Sequence, residues 1–219
     1  MAVPEPEIVW TIVVAGGTGA RFGARKQYEQ VGEVRILDRS VATAARATDA
    51  VVVVAPADDV ATESSRFHLV VSGGATRSAS VRAGLAAVPA AASIVCVHDA
   101  ARPFATDALF ERVVAAVRDG ADGAVPGVAV TDTIKVIDPD GRVTATPARD
   151  SLVAVQTPQA FRADTLRRAH ADGAEGTDDA TLVERLGGTV VVVAGDVDNR
   201  KVTHPDDLAW ARAQAETAS

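Results

Sequence analysis

The chain has 219 residues, 47% of them hydrophobic but only 4% aromatic, and a net charge of -7. That length suits one domain, or one domain with an appendage, and lets an open sheet bury a substantial core built from Ala and Val. The acidic balance argues against a nucleic-acid binder, which would need a basic stripe, and the single cysteine excludes an internal disulfide or a Cys-based zinc site.

Residues 1–7 alternate Pro4 and Pro6 with Glu5 and Glu7, without the positive start and long apolar stretch of a signal peptide. No apolar run approaches the ~20 residues of a membrane span. A cytoplasmic protein with no membrane partner is the expectation. A first strand is expected at 8–14, followed by a glycine-rich turn. A helix at 38–48 then leads to a strand at 50–55, whose Val51-Val52-Val53-Val54 reads as buried on both faces. The alternation continues with a helix at 57–65, a strand at 68–71, a helix at 78–88, a strand at 93–97, a helix at 106–119 and a strand at 124–130. Cys96, inside the fourth of these runs, reads as a buried small hydrophobe. Beyond 150 come a strand at 153–156, helices at 163–171 and 178–186, and a strand at 189–193. A last helix begins near Pro205 and includes Trp210. Asp38, Ser78, Thr106 and Thr177 are the expected N-caps.

Residues 131–150 break the alternation. Pro139-Asp140-Gly141 is a turn signal between β-formers, so a β-hairpin arm is expected there. A two-stranded ribbon is marginal alone, which implies packing on another subunit. The whole order predicts an α/β fold in one domain spanning 1–219. Its core is a three-layer, mostly parallel, Rossmann-like sheet, from which the arm projects.

The turn after the first strand is Ala15-Gly16-Gly17-Thr18-Gly19-Ala20-Arg21-Phe22-Gly23-Ala24-Arg25-Lys26-Gln27-Tyr28. Glycines let backbone N–H groups approach a phosphate closely. A dinucleotide-binding turn is excluded, because Gly17, Gly19 and Gly23 miss its spacing and no acidic residue ends the second strand. A Walker loop is excluded because Ala24 follows Gly23. A nucleotidylyltransferase loop remains, with Arg21 and Lys26 gripping a triphosphate. On the loop alone, two solvated surface cations are an equal reading.

The loop, ending in Lys26-Gln27-Tyr28, is followed in order by further motifs. They are Gly73-Gly74 with Arg77 and Ser80-Val81, then Val97-His98-Asp99-Ala100-Ala101-Arg102-Pro103, then Asp132-Thr133-Ile134-Lys135. Arg149, Gln156-Thr157-Pro158-Gln159-x-Phe161, Thr177-Asp178-Asp179 and Asp198-Asn199-Arg200-Lys201-Val202-Thr203 complete the series. Together they resemble the 2-C-methyl-D-erythritol 4-phosphate cytidylyltransferases of the non-mevalonate isoprenoid pathway, over nearly the whole chain. The sequence departs from that family in a shorter glycine loop, in Arg25 where Pro is frequent before the Lys, and in Ala129 before Val130.

The resemblance implies a cytidylyl transfer from CTP to a sugar-alcohol phosphate. The acceptor's phosphate oxygen attacks the α-phosphorus and pyrophosphate leaves, so no nucleophilic side chain is needed. It implies Arg21, Lys26, Arg149 and Lys201 as catalytic cations. CTP would be bound by Ala15, Gly16, Gly17, Gly19, Arg21, Lys26, Gly73, Gly74, Arg77, Ser80 and Asp99. The acceptor would be bound by Arg102, Thr133, Lys135, Arg149, Thr157, Thr177 and Lys201. Asp99 and Asp198 would hold Mg²⁺, and the arm would make a homodimer whose acceptor pocket is shared. Read without the family, Asp99 is a loop cap and Asp198 a turn residue. His98 is expected to be structural, since the chemistry needs no base. A ribitol-phosphate cytidylyltransferase and a non-catalytic nucleotide-binding relative are the alternatives. A reductase of the Tyr-x-x-x-Lys type is disfavoured, because Tyr28 has Gly32 at that spacing.

Overall fold

The computed structural model describes residues 7–17 and 25–217. The chain runs β1 (Val9–Val14), β2 (Gln30–Val31), β3 (Val34–Arg35), α1 (Ile36–Ala47), β4 (Ala50–Ala55), α2 (Val60–Ser64), β5 (Val70–Ser72) and α3 (Arg77–Ala87). It continues with β6 (Ile94–Asp99), α4 (Asp107–Arg118), β7 (Gly123–Ala129), β8 (Val136–Ile137), β9 (Val143–Ala145), β10 (Val153–Val155) and β11 (Gln159–Arg162). The last elements are α5 (Ala163–Ala169), α6 (Asp179–Arg185), β12 (Val190–Ala194) and α7 (Pro205–Thr217). Among the described residues, no helix is long and apolar enough to cross a membrane.

β1 lies between β4 and β6, parallel to both, and β5 extends the sheet beyond β4. On the other side β11 runs antiparallel to both β6 and β7. β7 also pairs antiparallel with β10 and parallel with β12. Because strand residues alternate faces, Val13 and Ile12 point to opposite sides of the sheet. Val13 and Val53 pack with Leu37, Leu109, Phe110 and Val113 under α1 and α4. Ile12, Val52 and Val54 pack with Val81, Leu85, Leu166 and Leu182 under α3, α5 and α6. These are the three expected layers.

Two details correct the sequence reading. β11 was not expected: Gln159–Arg162 has no alternation to announce a strand, and its slot between β6 and β7 is a tertiary feature. Three of the four N-caps also lie elsewhere. Asp38 sits inside α1 and pairs with Arg35 at 2.7 Å. Ser78 sits inside α3, which is capped by Thr76 accepting from Ala79 N at 3.0 Å. Asp178, not Thr177, caps α6 by accepting from Thr181 N at 2.9 Å. Each true cap of α3 and α6 is a neighbouring residue equally able to accept a bond. Thr106 caps α4 as expected.

The ribbon at 131–150 is present. β8 and β9 pair antiparallel. Asp138 Oδ1 accepts from the backbone N–H of Asp140 and Arg142, and Gly141 takes a left-handed φ of +80°, so the turn forms where expected. Every residue of both strands is exposed.

Candidate active site

The carboxyl ends of β1 and β6 open onto one cavity, as strand ends do in open α/β sheets. Its volume is about 480 Å³. Backbone from Ala15 to Gly17 forms one wall, and the start of α3 forms another. Gln27, buried between them, donates from Nε2 to Ala15 O at 3.0 Å and Gly17 O at 3.4 Å, bracing the glycine turn from beneath. Gly16 and Gly73 flank Ser80, where a Cβ on either would press on its Oγ at 3.1 or 3.0 Å. The Ser80 hydroxyl accepts from Gly74 N and donates to Thr76 O, tying the Gly73-Gly74 turn to α3.

Among the described residues, the charged groups lining the cavity are Lys26, Arg77, Lys201 and Asp99. Three cations thus face one carboxylate, in a protein of net charge -7. Asp99 ends β6. Its Oδ1 accepts from Arg77 Nε at 3.2 Å and its Oδ2 from Lys201 Nζ at 2.6 Å. Burial alone would raise this carboxyl, but Arg77 and Lys201 outweigh it and hold it well below the usual carboxylate range. Arg77 is shared, donating from Nη1 to Asp179 at 2.8 Å, and Asp179 in turn meets His170 Nε2 at 2.9 Å. Burial disfavours the Arg77 charge, but Asp99 and Asp179 more than offset that. Lys26 Nζ donates to Val202 O at 2.6 Å, next to Lys201.

His98 is fully buried behind Asp99. Its Nε2 donates to Arg102 O, and its Nδ1 accepts from the Thr157 hydroxyl at 3.1 Å. Thr157 Oγ1 itself accepts from Asp99 N at 3.0 Å. Burial pushes the His98 pKa down to about 4. The ring is neutral and structural, as the sequence implied. Burial pushes the Cys96 thiol up to about 12, in line with its reading as an inert hydrophobe.

The cavity therefore brings together Ala15, Gly16, Gly17, Lys26, Gly74, Arg77, Ser80, Asp99 and Lys201 of the expected residues. Gly19 and Arg21 lie outside the described residues. Gly73 stands just behind the wall, against Ser80. Arg102 donates to Asn199 O at 2.7 Å, and Thr157 is buried beneath Asp99. Thr133, Lys135 and Arg149 sit on the exposed ribbon segment, where Lys135 meets Thr146 and Arg149 meets Thr131 O. Thr177 is exposed beside Thr181. Asp198 is exposed and does not line the cavity. Among the described residues, no cluster of three or more His, Cys, Asp or Glu side chains stands ready for a metal ion. Gln27 and the Asp179–His170 pair carry roles the sequence did not assign. Gln27 and Asp179 stand inside sequence motifs, but their roles become visible only once their partners are placed.

The family model described as 2-C-methyl-D-erythritol 4-phosphate cytidylyltransferase matches residues 9–217. The chain belongs to the 2-C-methyl-D-erythritol 4-phosphate cytidylyltransferase family. A cytidylyltransferase of that name from Rhodococcus jostii is 46% identical, with 95% of each chain aligned. A bifunctional enzyme IspD/IspF from Nitrobacter winogradskyi is 44% identical over 99% of this chain, which spans 58% of that relative's length. The crystal structure of 2-C-methyl-D-erythritol 4-phosphate cytidylyltransferase from Thermus thermophilus superposes with a TM-score of 0.76 at 34% identity, covering 96% of this chain and all of that one. Within this cytidylyltransferase framework, the cavity over β1 and β6 is the candidate active site.

Proposed function

We propose that the chain transfers a cytidylyl group from CTP to 2-C-methyl-D-erythritol 4-phosphate, giving 4-diphosphocytidyl-2-C-methyl-D-erythritol and pyrophosphate. The observation that carries this is the cavity in which Arg77 and Lys201 pair with the Asp99 carboxylate and Lys26 lines the same space, beside the bare backbone of Gly16 and Gly17. Such a cavity attracts polyanions into an otherwise acidic protein. An acceptor phosphate oxygen forms the new bond to the α-phosphorus of CTP. The bond to the bridging oxygen breaks, and pyrophosphate departs with its electrons. Lys26 and Lys201 neutralise charge that builds on the phosphoryl oxygens, and the glycine turn offers backbone donors. No side chain exchanges a proton in this scheme, consistent with a His98 sealed in its neutral form.

Asp99 fits a Mg²⁺ ion, being an ionised hard-oxygen donor at the floor of a phosphate site. Mg²⁺ is bound through one or two carboxylates together with substrate phosphates. Asp198, on the loop that carries Lys201, is the second carboxylate proposed for it. The ion would supply charge neutralisation and orientation of the triphosphate. The enzyme is further proposed to be cytoplasmic. It would act as a homodimer whose ribbon brings Thr133, Lys135 and Arg149 to a neighbour's acceptor pocket, alongside Arg102, Thr157 and Thr177.

The test is pyrophosphate release with CTP, Mg²⁺ and either methylerythritol phosphate or ribitol phosphate, with ATP, GTP and UTP as controls. Release is expected with CTP and methylerythritol phosphate alone. Preference for ribitol phosphate would reassign the acceptor. CTP binding without release under any pairing would make the chain a non-catalytic relative.

A further inference from the structure

Between β12 and Lys201 the chain passes through residues 195–200 without regular structure, yet this stretch holds Lys201 against Asp99. Two buried amide side chains fix it. Gln156 Nε2 donates to Asp196 O at 2.7 Å and Gln156 Oε1 accepts from Asp196 N at 3.1 Å, so the amide pairs with backbone as a ladder neighbour would. Asn199 Nδ2 donates to Thr157 O at 2.8 Å, and Asn199 O accepts from Arg102 Nη1 at 2.7 Å. The two side chains also touch each other, Asn199 Nδ2 to Gln156 Oε1 at 3.4 Å. Gly195 makes the room, since a Cβ there would meet Gln156 Oε1 and Gly127 O at 2.9 Å.

The clasp ties the strand end below Asp99 to the loop bearing Lys201, and it anchors Arg102. It also carries a cost: Asn199 Oδ1 is buried without a hydrogen-bond partner among the described residues. An apolar pair of similar volume would remove that orphan but leave Asp196 N, Asp196 O and Thr157 O without these partners, so the amides serve the backbone path of this loop. Packing alone therefore does not account for amides here; the aim of the loop does. We infer that Gln156 and Asn199 are positioning residues that set Lys201 and Arg102 for phosphate transfer. This rests on the cytidylyl transfer proposed above.

Gln156→Glu keeps the shape but turns a carboxylate oxygen toward Asp196 O. Asn199→Ser removes the donor to Thr157 O. Both are made in the full chain and compared with wild type. Steady-state pyrophosphate release gives kcat and both KM values, and hydrogen exchange is followed across residues 195–203. In each variant kcat is expected to fall roughly 10- to 100-fold, the scale of a displaced reacting group. KM for CTP stays within about twofold. Amides at 196–202 exchange faster while β1 and β6 keep their protection. Unchanged kcat and exchange would overturn the inference. So would loss of the fold in both variants, or faster exchange across the whole sheet, since the pair would then serve the fold. If wild type releases no pyrophosphate, the cytidylyl-transfer reading fails separately. Exchange then decides the clasp, and unchanged protection at 196–202 overturns it.

Discussion

His98 is fully buried with both ring nitrogens in hydrogen bonds, one donating to Arg102 O and one accepting from Thr157, so a second ring proton would add a charge shut away from water. Its pKa is lowered to about 4 from 6.5, chiefly by burial. A lowered histidine pKa stabilises the fold fully above the unfolded value, and that contribution is lost as pH falls through the interval toward the folded value. The amount is at most about 3 kcal/mol. The unfolding temperature should therefore decline between pH 6.5 and about 4, and His98→Gln should flatten that decline. An equally steep decline in the variant would place the acid lability in another group. Asp99 is separable, because a depressed carboxyl loses its contribution only below the ordinary carboxylate value of 3.8. Lys26 makes a different test. It lines the cavity with its ammonium on Val202 O, and in the proposed transfer it would meet charge that develops late. Lys26→Ala should lower kcat about 100-fold, with CTP affinity by calorimetry changed only a few-fold. Equal losses in both would make Lys26 a ground-state binder. The sequence pointed to Lys26 and Asp99 through their motifs. It could not reveal that Asp99 is already bridged by Arg77 and Lys201, because those residues meet only in three dimensions.

α3 delivers Arg77 and Ser80 to the cavity, and its seat on the sheet depends on one absent side chain. A Cβ on Gly84 would lie 2.5 Å from Ile12 Cγ2 and 3.1 Å from Val54 Cγ2, against β1 and β4. Ala is the better helix former by ~1 kcal/mol, but overpacking a filled core costs about 1–3 kcal/mol. Gly84→Ala should therefore be neutral to destabilising by denaturant titration, and Gly84→Val clearly destabilising, with turnover lost as α3 lifts. A Gly84→Val protein as stable as wild type would show that the helix can shift freely. Helices and parallel strands were legible because their apolar spacing is local: 77–87 was expected at 78–88, and β4 at its full length. β11 was not legible. Its four residues gain their place from backbone partners on β6 and β7, far away in sequence. The caps failed for a related reason, since Thr76 and Ser78, or Thr177 and Asp178, are chemically equal until the helix axis is fixed.

The ribbon presents an apolar surface that its own fold does not cover. The ribbon exposes Ile137 by 60%, Val143 by 58% and Val136 by 46%, although its two strands are only two and three residues long. So short a ribbon has little stability of its own in water, and an apolar cluster on it favours contact with another surface. The turn signal Pro139-Asp140-Gly141 made the ribbon legible in sequence, whereas its partner surface is not encoded in any local pattern. Thr133, Lys135 and Arg149 on the same segment are residues the family resemblance assigns to the acceptor, and they lie away from the cavity lining. The proposed homodimer, in which a neighbouring copy would receive the ribbon, accounts for both facts. Replacing Ile137 and Val143 together with Asp should then convert a dimer to a monomer by light scattering, without lowering the unfolding temperature of the sheet. KM for the acceptor should rise about tenfold or more while CTP affinity holds, the pattern expected when one substrate's contacts are lost. Arg149→Ala should reproduce the kinetic effect and keep the dimer. A double variant that remains dimeric with unchanged acceptor KM would remove the ribbon from the active site and confine the reaction to the cavity over β6.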